Sequence, residues 1–118
     1  DTYRSFAIKE DGTVWAWGLN SEGRLGVDPS STPGGSSIDP VAVTGLTGVV
    51  VVNVAAGGSH SVAATSDGSV WTWGLNDHGQ LGNGSAVSYE FNPAAVSGLS
   101  NIIKVAAGSS HTLAVKSP

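Results

Sequence analysis

The chain has 118 residues, of which 40% are hydrophobic, 12% are charged and 17 are glycine. That length suffices for one compact domain, and many glycines with few charges are typical of a turn-rich β protein. The net charge is −4 and the five Lys and Arg residues do not cluster, which argues against nucleic-acid binding. Cysteine is absent, which excludes disulfides, thiolate metal sites and a cysteine nucleophile. The sequence contains no run of 18 apolar residues, so we predict no transmembrane helix.

Two further features of the composition concern origin. Methionine is absent even at position 1, so we expect the chain to be processed or to be part of a longer one. The low Lys content with abundant Gly, Ser, Thr and Val favours a secreted or surface protein of a bacterium.

In chain order, the first predicted element is a β-hairpin with Asp11-Gly12 at its turn, because this pair supplies the positive φ of a two-residue connection. Asp67-Gly68 predicts a second hairpin of the same kind. A Pro-, Gly- and Ser-rich surface loop is expected over Val27–Ser37. No segment has the 3.6-residue period of a helix. The strands expected are residues 5–9, 13–17, 41–43, 49–54, 61–65, 70–73, 94–96, 102–106 and 112–116.

The chain repeats itself. The segment Asp11–Asn20 returns in closely similar form 56 residues later, and Val54–His60 returns 51 residues later. A period near 50 residues with strands and glycine turns predicts a propeller or another array. Trp15 and Trp17 share one strand face and apolar residues occupy the other, as expected for a strand between two layers. We divide the chain into residues 1–53, a first repeat lacking its leading strand, 54–104, a second repeat, and 105–118, the start of a third.

The pattern Val-Ala-Ala-Gly-x-x-His, followed by Asp-Gly-x-Val-Trp-x-Trp-Gly-x-Asn-x-x-Gly-x-Leu-Gly, resembles the regulator of chromosome condensation repeat family. The resemblance implies an all-β fold of antiparallel four-stranded blades, here about two blades of a seven-bladed β-propeller. It also implies a protein-binding platform. We predict that this segment is non-catalytic and needs no cofactor. Arg4 departs from the pattern, which has His at that position.

Because the signature residues recur at equivalent positions of the repeats, we predict structural roles for them. The glycines suit turns better than a phosphate loop, because the Lys-Ser/Thr of a P-loop is missing. The paired Trp residues suit packing between blades, and the equivalent His residues suit an imidazole bond across blades more than a metal site. We predict no catalytic, cofactor or metal residue. The signature comprises Gly18, Asn20, Gly26, His60, Trp71, Trp73, Gly74, Asn76, Gly82 and His111.

The two repeats differ most in the loops Val27–Asp39 and Asn83–Asn92, where a binding function is expected, since binding loops vary on a constant frame. The candidate contacts are Asp28, Asp39 and the cluster Tyr89, Glu90 and Phe91; the alternative is that the cluster packs under its own loop.

Three hypotheses for function remain open. The first is a protein-interaction scaffold that binds through these loops. The others are guanine-nucleotide exchange on a small GTPase, as in the founding family member, and carbohydrate or cell-surface binding, which needs exposed Trp. The expected partners are another protein, further blades of a longer parent, or a second copy of the chain.

Overall fold

The computed structural model describes residues 4–46 and 48–118, so the first three residues of the predicted first repeat lie outside them. Within the described part the chain forms strands and four short 3-10 turns, without an α-helix. The strands are β1 Arg4–Ile8, β2 Val14–Leu19, β3 Ser36–Ala42, β4 Val51–Ala56, β5 His60–Thr65, β6 Val70–Leu75, β7 Tyr89–Ala95, β8 Ile102–Ala107 and β9 Thr112–Lys116.

The strands form three antiparallel sheets, ordered β1-β2-β3, β4-β5-β6-β7 and β8-β9. We call them blades 1, 2 and 3. Blade 2 has four strands, blade 1 has the strands equivalent to β5, β6 and β7, and blade 3 has those equivalent to β4 and β5. The all-β fold of antiparallel blades predicted from the repeat is therefore confirmed.

The core lies between the blades, because strand faces on both sides are apolar. We call the two contact regions seam 1–2 and seam 2–3. Seam 2–3 buries Val62, Ala64 and Val70 against Ile102 and Val105. Seam 1–2 buries Val14, Ala16, Leu25, Val27, Val43 and Leu46, on the side of blade 1, against Val51, Ala63 and Trp73 of blade 2.

Two strands are longer than the sequence predicts. We expected strands only near residues 41–43 and 94–96, but β3 begins at Ser36 and β7 at Tyr89. The pairing shifts at a bulge between Ala16 and Gly18, and again between Thr72 and Gly74, and then continues. Both strands are outer strands of their blades, where proline is tolerated and alternation of polar and apolar residues is weak.

This extension corrects the predicted loops. Asp39 lies in β3, and Tyr89, Glu90 and Phe91 lie in β7, so none of the four belongs to a loop. The connections that remain are residues 20–35 and 76–88. Both leave their blades at one end, which also carries the start of β5 and the end of β4. We call this end the long-loop end.

Candidate protein-binding surface

A repeated asparagine holds each long connection in place. Asn20 is buried at the end of β2; its Oδ1 accepts from the Leu25 amide at 3.0 Å, and its Nδ2 donates to Thr32 Oγ1 at 3.0 Å and to the Val27 carbonyl at 3.3 Å. One amide side chain thus satisfies three groups of its loop, and the fixed frame can carry loops that differ.

Asn76 repeats this arrangement on a different loop. Its Oδ1 accepts from the Leu81 amide at 3.1 Å, and its Nδ2 donates to the Ser85 carbonyl at 3.1 Å and the Val87 carbonyl at 3.2 Å. The signature asparagines are therefore structural, while the sequence that they hold is specific to each blade.

Polar contacts within the first connection order it locally. Asp28 is exposed and caps the turn Pro29–Ser31, because its Oδ1 accepts from the Ser30 amide at 2.9 Å. Arg24 is buried; it donates to the Ser21 carbonyl at 2.9 Å and pairs with Glu22. Asp28 therefore remains an exposed anion at the long-loop end with one oxygen engaged in its own turn.

The second connection carries another ordered anion. Asp77 Oδ1 accepts from Gln80 Nε2 at 3.1 Å and contacts His78 Nδ1 at 2.9 Å. These hydrogen bonds, that from Gln80 foremost, lower the pKa of the Asp77 carboxyl, so it stays ionised at neutral pH. Further along, Val87 is 48% exposed.

The predicted contact cluster on β7 divides into exposed and packed parts. Tyr89 is 46% exposed, next in space to the end of β6 through its pairing with Leu75. Phe91 is half-buried and packs on Gly23 of blade 1, where an added Cβ would lie 2.1 Å from the Phe91 Cβ. Glu90 is half-buried, and Asp39 is exposed on β3. Tyr89 therefore stays a candidate contact, whereas Phe91 belongs to seam 1–2.

Trp73 closes seam 1–2. Its side chain is fully buried, its Nε1 donates to the Arg24 carbonyl at 3.1 Å, and its ring meets Phe6 edge to face at 5.9 Å. An added Cβ at Gly26 would lie 3.0 Å from Trp73 Nε1 and 2.6 Å from Val43 Cγ1, so the indole needs a glycine there.

Arg4 and His60 occupy equivalent positions and both reach the next blade. Arg4 is buried and donates to the carbonyls of Gly57, at 3.0 Å, and His60, and also toward Ser61 Oγ at 3.4 Å. Burial, aided by the charge of Arg24, lowers the pKa of Arg4 to about 10, which leaves it protonated at neutral pH.

His60 continues the series in seam 2–3. Its Nε2 lies 2.8 Å from Thr112 Oγ1. Burial lowers the pKa of His60, so the imidazole is neutral at pH 7. Thr112 Oγ1 in turn donates to the Gln80 carbonyl at 2.9 Å, as Ser61 Oγ donates to the Arg24 carbonyl at 2.8 Å. The hydroxyls of Ser61 and Thr112 thus form a repeated link between blades. The sequence analysis missed this link, although the two residues directly follow the signature histidines His60 and His111.

The described residues give little support to a metal site, a membrane-spanning helix or a sugar-binding site. Among residues 4–46 and 48–118, no three His, Asp or Glu side chains group as metal ligands. In the same part of the chain no helix is long and apolar enough to span a membrane. Trp73 is fully buried and Trp15, Trp17 and Trp71 are half-buried, which disfavours sugar stacking on exposed indoles.

Comparisons with known proteins agree with the internal repeat. The profile of the regulator of chromosome condensation (RCC1) repeat matches residues 11–64 and 67–115, and a second profile of this repeat matches residues 51–80. The E3 ubiquitin-protein ligase HERC2 of Homo sapiens is 42% identical over 115 residues, which cover 93% of this chain and 2% of HERC2. Protein pim1 of Schizosaccharomyces pombe is 35% identical over 131 residues, which cover 98% of this chain and 24% of pim1.

Solved structures give the same fold. Yeast RCC1 (Prp20), in a crystal structure with Kap60 bound, superposes with a TM-score of 0.85 at 26% identity, covering 97% of this chain and 28% of that one. Human WBSCR16 superposes with a TM-score of 0.85 at 23% identity and the same coverage. The relatives named here are eukaryotic and give no support to the predicted bacterial, secreted origin, which nothing here tests further. The chain spans a quarter or less of the curated relatives named here, and it belongs to the regulator of chromosome condensation (RCC1) repeat family, folded as part of a β-propeller.

Proposed function

We propose that this chain is a protein-interaction module whose partner binds at the long-loop end. The proposal rests on one observation: the two repeats share the same frame of strands and asparagine hydrogen bonds but carry different loops. Asn20 and Asn76 make equivalent hydrogen bonds, yet the connections that they hold differ in sequence and conformation. A rigid frame that presents unlike loops loses little conformational entropy on binding.

The charge of the long-loop end favours a basic partner surface. Within the described residues, the cations at this end are Arg4 and Arg24, and both are buried in seam 1–2. The acidic side chains of this end are exposed or half-buried and comprise Glu22, Asp28, Asp77 and Glu90. Opposite charges across an interface speed encounter and select partners, and a negative surface disfavours nucleic acid.

Two exposed apolar side chains supply an anchor beside these charges. Val87 and Tyr89 are 48% and 46% exposed; Val87 lies in the second connection, and Tyr89 begins β7 two residues later. Aromatic side chains next to charges are typical of the residues that contribute most to protein interfaces. Guanine-nucleotide exchange, which the family resemblance implies as an alternative, has no comparable observation in its favour, and binding is therefore the function proposed.

The solved relatives suggest a first probe. Prp20p of Saccharomyces cerevisiae, whose crystal structure superposes on this chain, has binding properties to Gsp1p and histones, and histones are strongly basic proteins. We would measure binding of the 118-residue chain to purified core histones by biolayer interferometry, with lysozyme as a basic control protein. The proposal predicts saturable histone binding that weakens as salt rises from 50 to about 200 mM.

Paired variants locate the surface. Tyr89→Ser is expected to weaken binding by about tenfold or more, as for a typical anchor residue. Val52→Ser removes a side chain that is 53% exposed at the opposite end of blade 2 and is expected to change nothing. Asp77→Asn and Asp67→Asn form a second pair, at the long-loop end and the opposite end. Equal binding by the members of each pair, or equal binding to lysozyme, would contradict the proposal.

A further inference from the structure

The second long connection contains the dipeptide Asn83-Gly84, and among the asparagines of the chain only Asn83 precedes a glycine. The backbone nitrogen after an asparagine can attack the carbon of the side-chain amide. A glycine at that place hinders the attack least, because it has no Cβ and moves freely between backbone conformations. Asn83-Gly84 is therefore the dipeptide of this chain best suited to such a reaction.

The attacking amide of Gly84 is accessible. Gly84 is exposed and has φ +73°, and an added Cβ would meet no heavy atom within 4 Å. Among the described residues, neither the Gly84 amide nor Asn83 Nδ2 donates a hydrogen bond to the protein. The reaction therefore breaks no internal hydrogen bond of the nucleophile or of the leaving group.

A hydrogen bond prepares the Asn83 side chain for attack. Its Oδ1 accepts from the Ser85 amide at 3.0 Å. The ring that this bond closes contains both Asn83 Cγ and the Gly84 nitrogen, so the two reacting atoms belong to one compact turn. The Ser85 amide also stabilises the negative charge that develops on Oδ1 as the nitrogen attacks.

The other asparagines are internal controls. Asn20 and Asn76 are buried, and each uses three hydrogen bonds to hold its connection. Asn92 precedes a proline, which has no N–H to attack with. The remaining two, Asn53 and Asn101, precede β-branched residues that crowd the attacking nitrogen.

We infer that Asn83-Gly84 is a self-modifying site that converts a neutral amide of the long-loop end into a carboxylate. The Gly84 nitrogen forms a bond to Asn83 Cγ while the bond from Cγ to Nδ2 breaks. The Gly84 proton leaves with Nδ2 as ammonia, and a cyclic succinimide remains. Water then opens the ring at Cγ to give aspartate, or at the backbone carbonyl to give isoaspartate.

Both products change the surface that carries this site. They add a negative charge to an end of the molecule where Asp28 and Asp77 are already exposed. Isoaspartate also adds a methylene to the main chain between Leu81 and Ser85, and Asn76 binds the backbone of both. The aspartate product therefore keeps the connection in place, whereas the isoaspartate product strains it.

Peptide mapping by mass spectrometry tests the modification. The folded 118-residue chain and a synthetic peptide of residues 80–88 are kept at neutral pH for several weeks and sampled together. Isoaspartate is detected by methylation with an isoaspartyl methyltransferase. We expect Asn83 in the folded chain to convert at a rate within about tenfold of that in the peptide, while the other asparagines stay unchanged.

Two results of this measurement would overturn the inference. The first is conversion of Asn83 more than about tenfold slower in the folded chain than in the peptide, because the fold would then protect the site. The second is conversion of another asparagine of the folded chain as fast as that of Asn83.

The consequence for binding rests on the function proposed above and is measured separately. Asn83→Asp supplies the aspartate product, and Asn83→Gln is the matched neutral control. Asn83→Asp is expected to bind core histones about two- to fivefold more tightly than Asn83→Gln at low salt. Equal affinities would overturn a role of the added charge in binding. Absence of histone binding in every form would contradict the proposed function, whereas the mass measurement decides the modification by itself.

Discussion

Seam 1–2 and seam 2–3 are lined by equivalent residues and differ in what closes them. In seam 1–2 the indole of Trp73 is fully buried against Arg24, while in seam 2–3 the described residues include no strand equivalent to β6 and leave the equivalent cleft of about 480 Å³ open. The hydroxyl links are made in both, by Ser61 and by Thr112. The apolar residues on one side of blade 1 are therefore covered by Trp73 on β6, the third strand of blade 2.

The opposite side of the molecule shows the same dependence on a neighbour. Ile38 on β3 occupies the position of Phe91 on β7, yet Ile38 is 94% exposed and Phe91 is half-buried on blade 1. Trp17 and Trp73 differ in the same sense, half-buried against fully buried. Equal sequence positions thus have unequal burial, and the following variants test whether unequal stability follows.

The largest effect is expected at the two tryptophans. Trp73→Ala should lower the free energy of unfolding by about 3–5 kcal/mol, because loss of the buried indole leaves a cavity and takes one of two donors from the Arg24 carbonyl. Trp17→Ala should cost about 1 kcal/mol, since its ring is already partly in water. Urea denaturation of both variants measures the difference. Equal losses of stability would contradict the view that burial by the neighbouring blade makes Trp73 the more important of the two.

Two equivalent glycines come next. Gly23 and Gly79 have similar φ, +68° and +72°, but an added Cβ meets Phe91 at Gly23 and open space at Gly79. Gly79→Ala should cost about 1 kcal/mol of backbone strain. Gly23→Ala adds overpacking of the seam and should cost about 3 kcal/mol in total. Thermal unfolding distinguishes the two, and a difference within error would show that Phe91 does not seal the seam.

Arg4 offers a smaller test of the same seam. Arg4→Ala removes a donor from the buried carbonyl of Gly57 and should destabilise the chain by about 2 kcal/mol. Lys116→Ala, an exposed cation on β9, should change stability by no more than about 0.5 kcal/mol. Urea denaturation at neutral pH compares them; equally small losses would remove Arg4 from the contacts that hold blades together.

The smallest expected effect is a dependence on pH. Burial lowers the pKa of His60, so the unfolded chain binds a proton at pH values where the folded chain does not. Stability should therefore be full above about pH 7 and fall as the pH drops below the ordinary histidine pKa of about 6.5. His60→Gln should flatten this slope between about pH 7 and 5.5, as measured by urea denaturation across that range. An unchanged slope in His60→Gln would exclude this group as its source.

The sequence predicts the repeated parts of this molecule well. A hairpin forms at Asp11-Gly12, with Asp11 Oδ1 accepting from the Thr13 amide at 3.0 Å and Gly12 at φ +86°. Its connection is longer than the predicted two residues: the Lys9 amide donates to the Thr13 carbonyl, so residues 10–12 form the turn, and of these only Gly12 has positive φ. Such turns depend on local chemistry, which adjacent residues encode.

The outer strands and the seam contacts were not predictable in the same way. Pro40 and Pro93 obscure β3 and β7, because an outer strand does not need the pattern that a central strand needs. The contact of Phe91 with Gly23 joins residues far apart in the sequence, so no local pattern encodes it. The hydroxyl link could have been found by comparing the two repeats, because a hydroxyl residue follows both His60 and His111.

The most direct test of the difference between the seams is 19F NMR of the chain labelled with 5-fluorotryptophan, assigned by single Trp→Phe variants. The solvent isotope shift between H2O and D2O reports water contact at each indole. We expect almost no shift for Trp73 and a clear shift for Trp17, although both occupy the same place in their repeats. Equal shifts for these two tryptophans would contradict the central claim, because the neighbouring blade would then not decide which indole is buried.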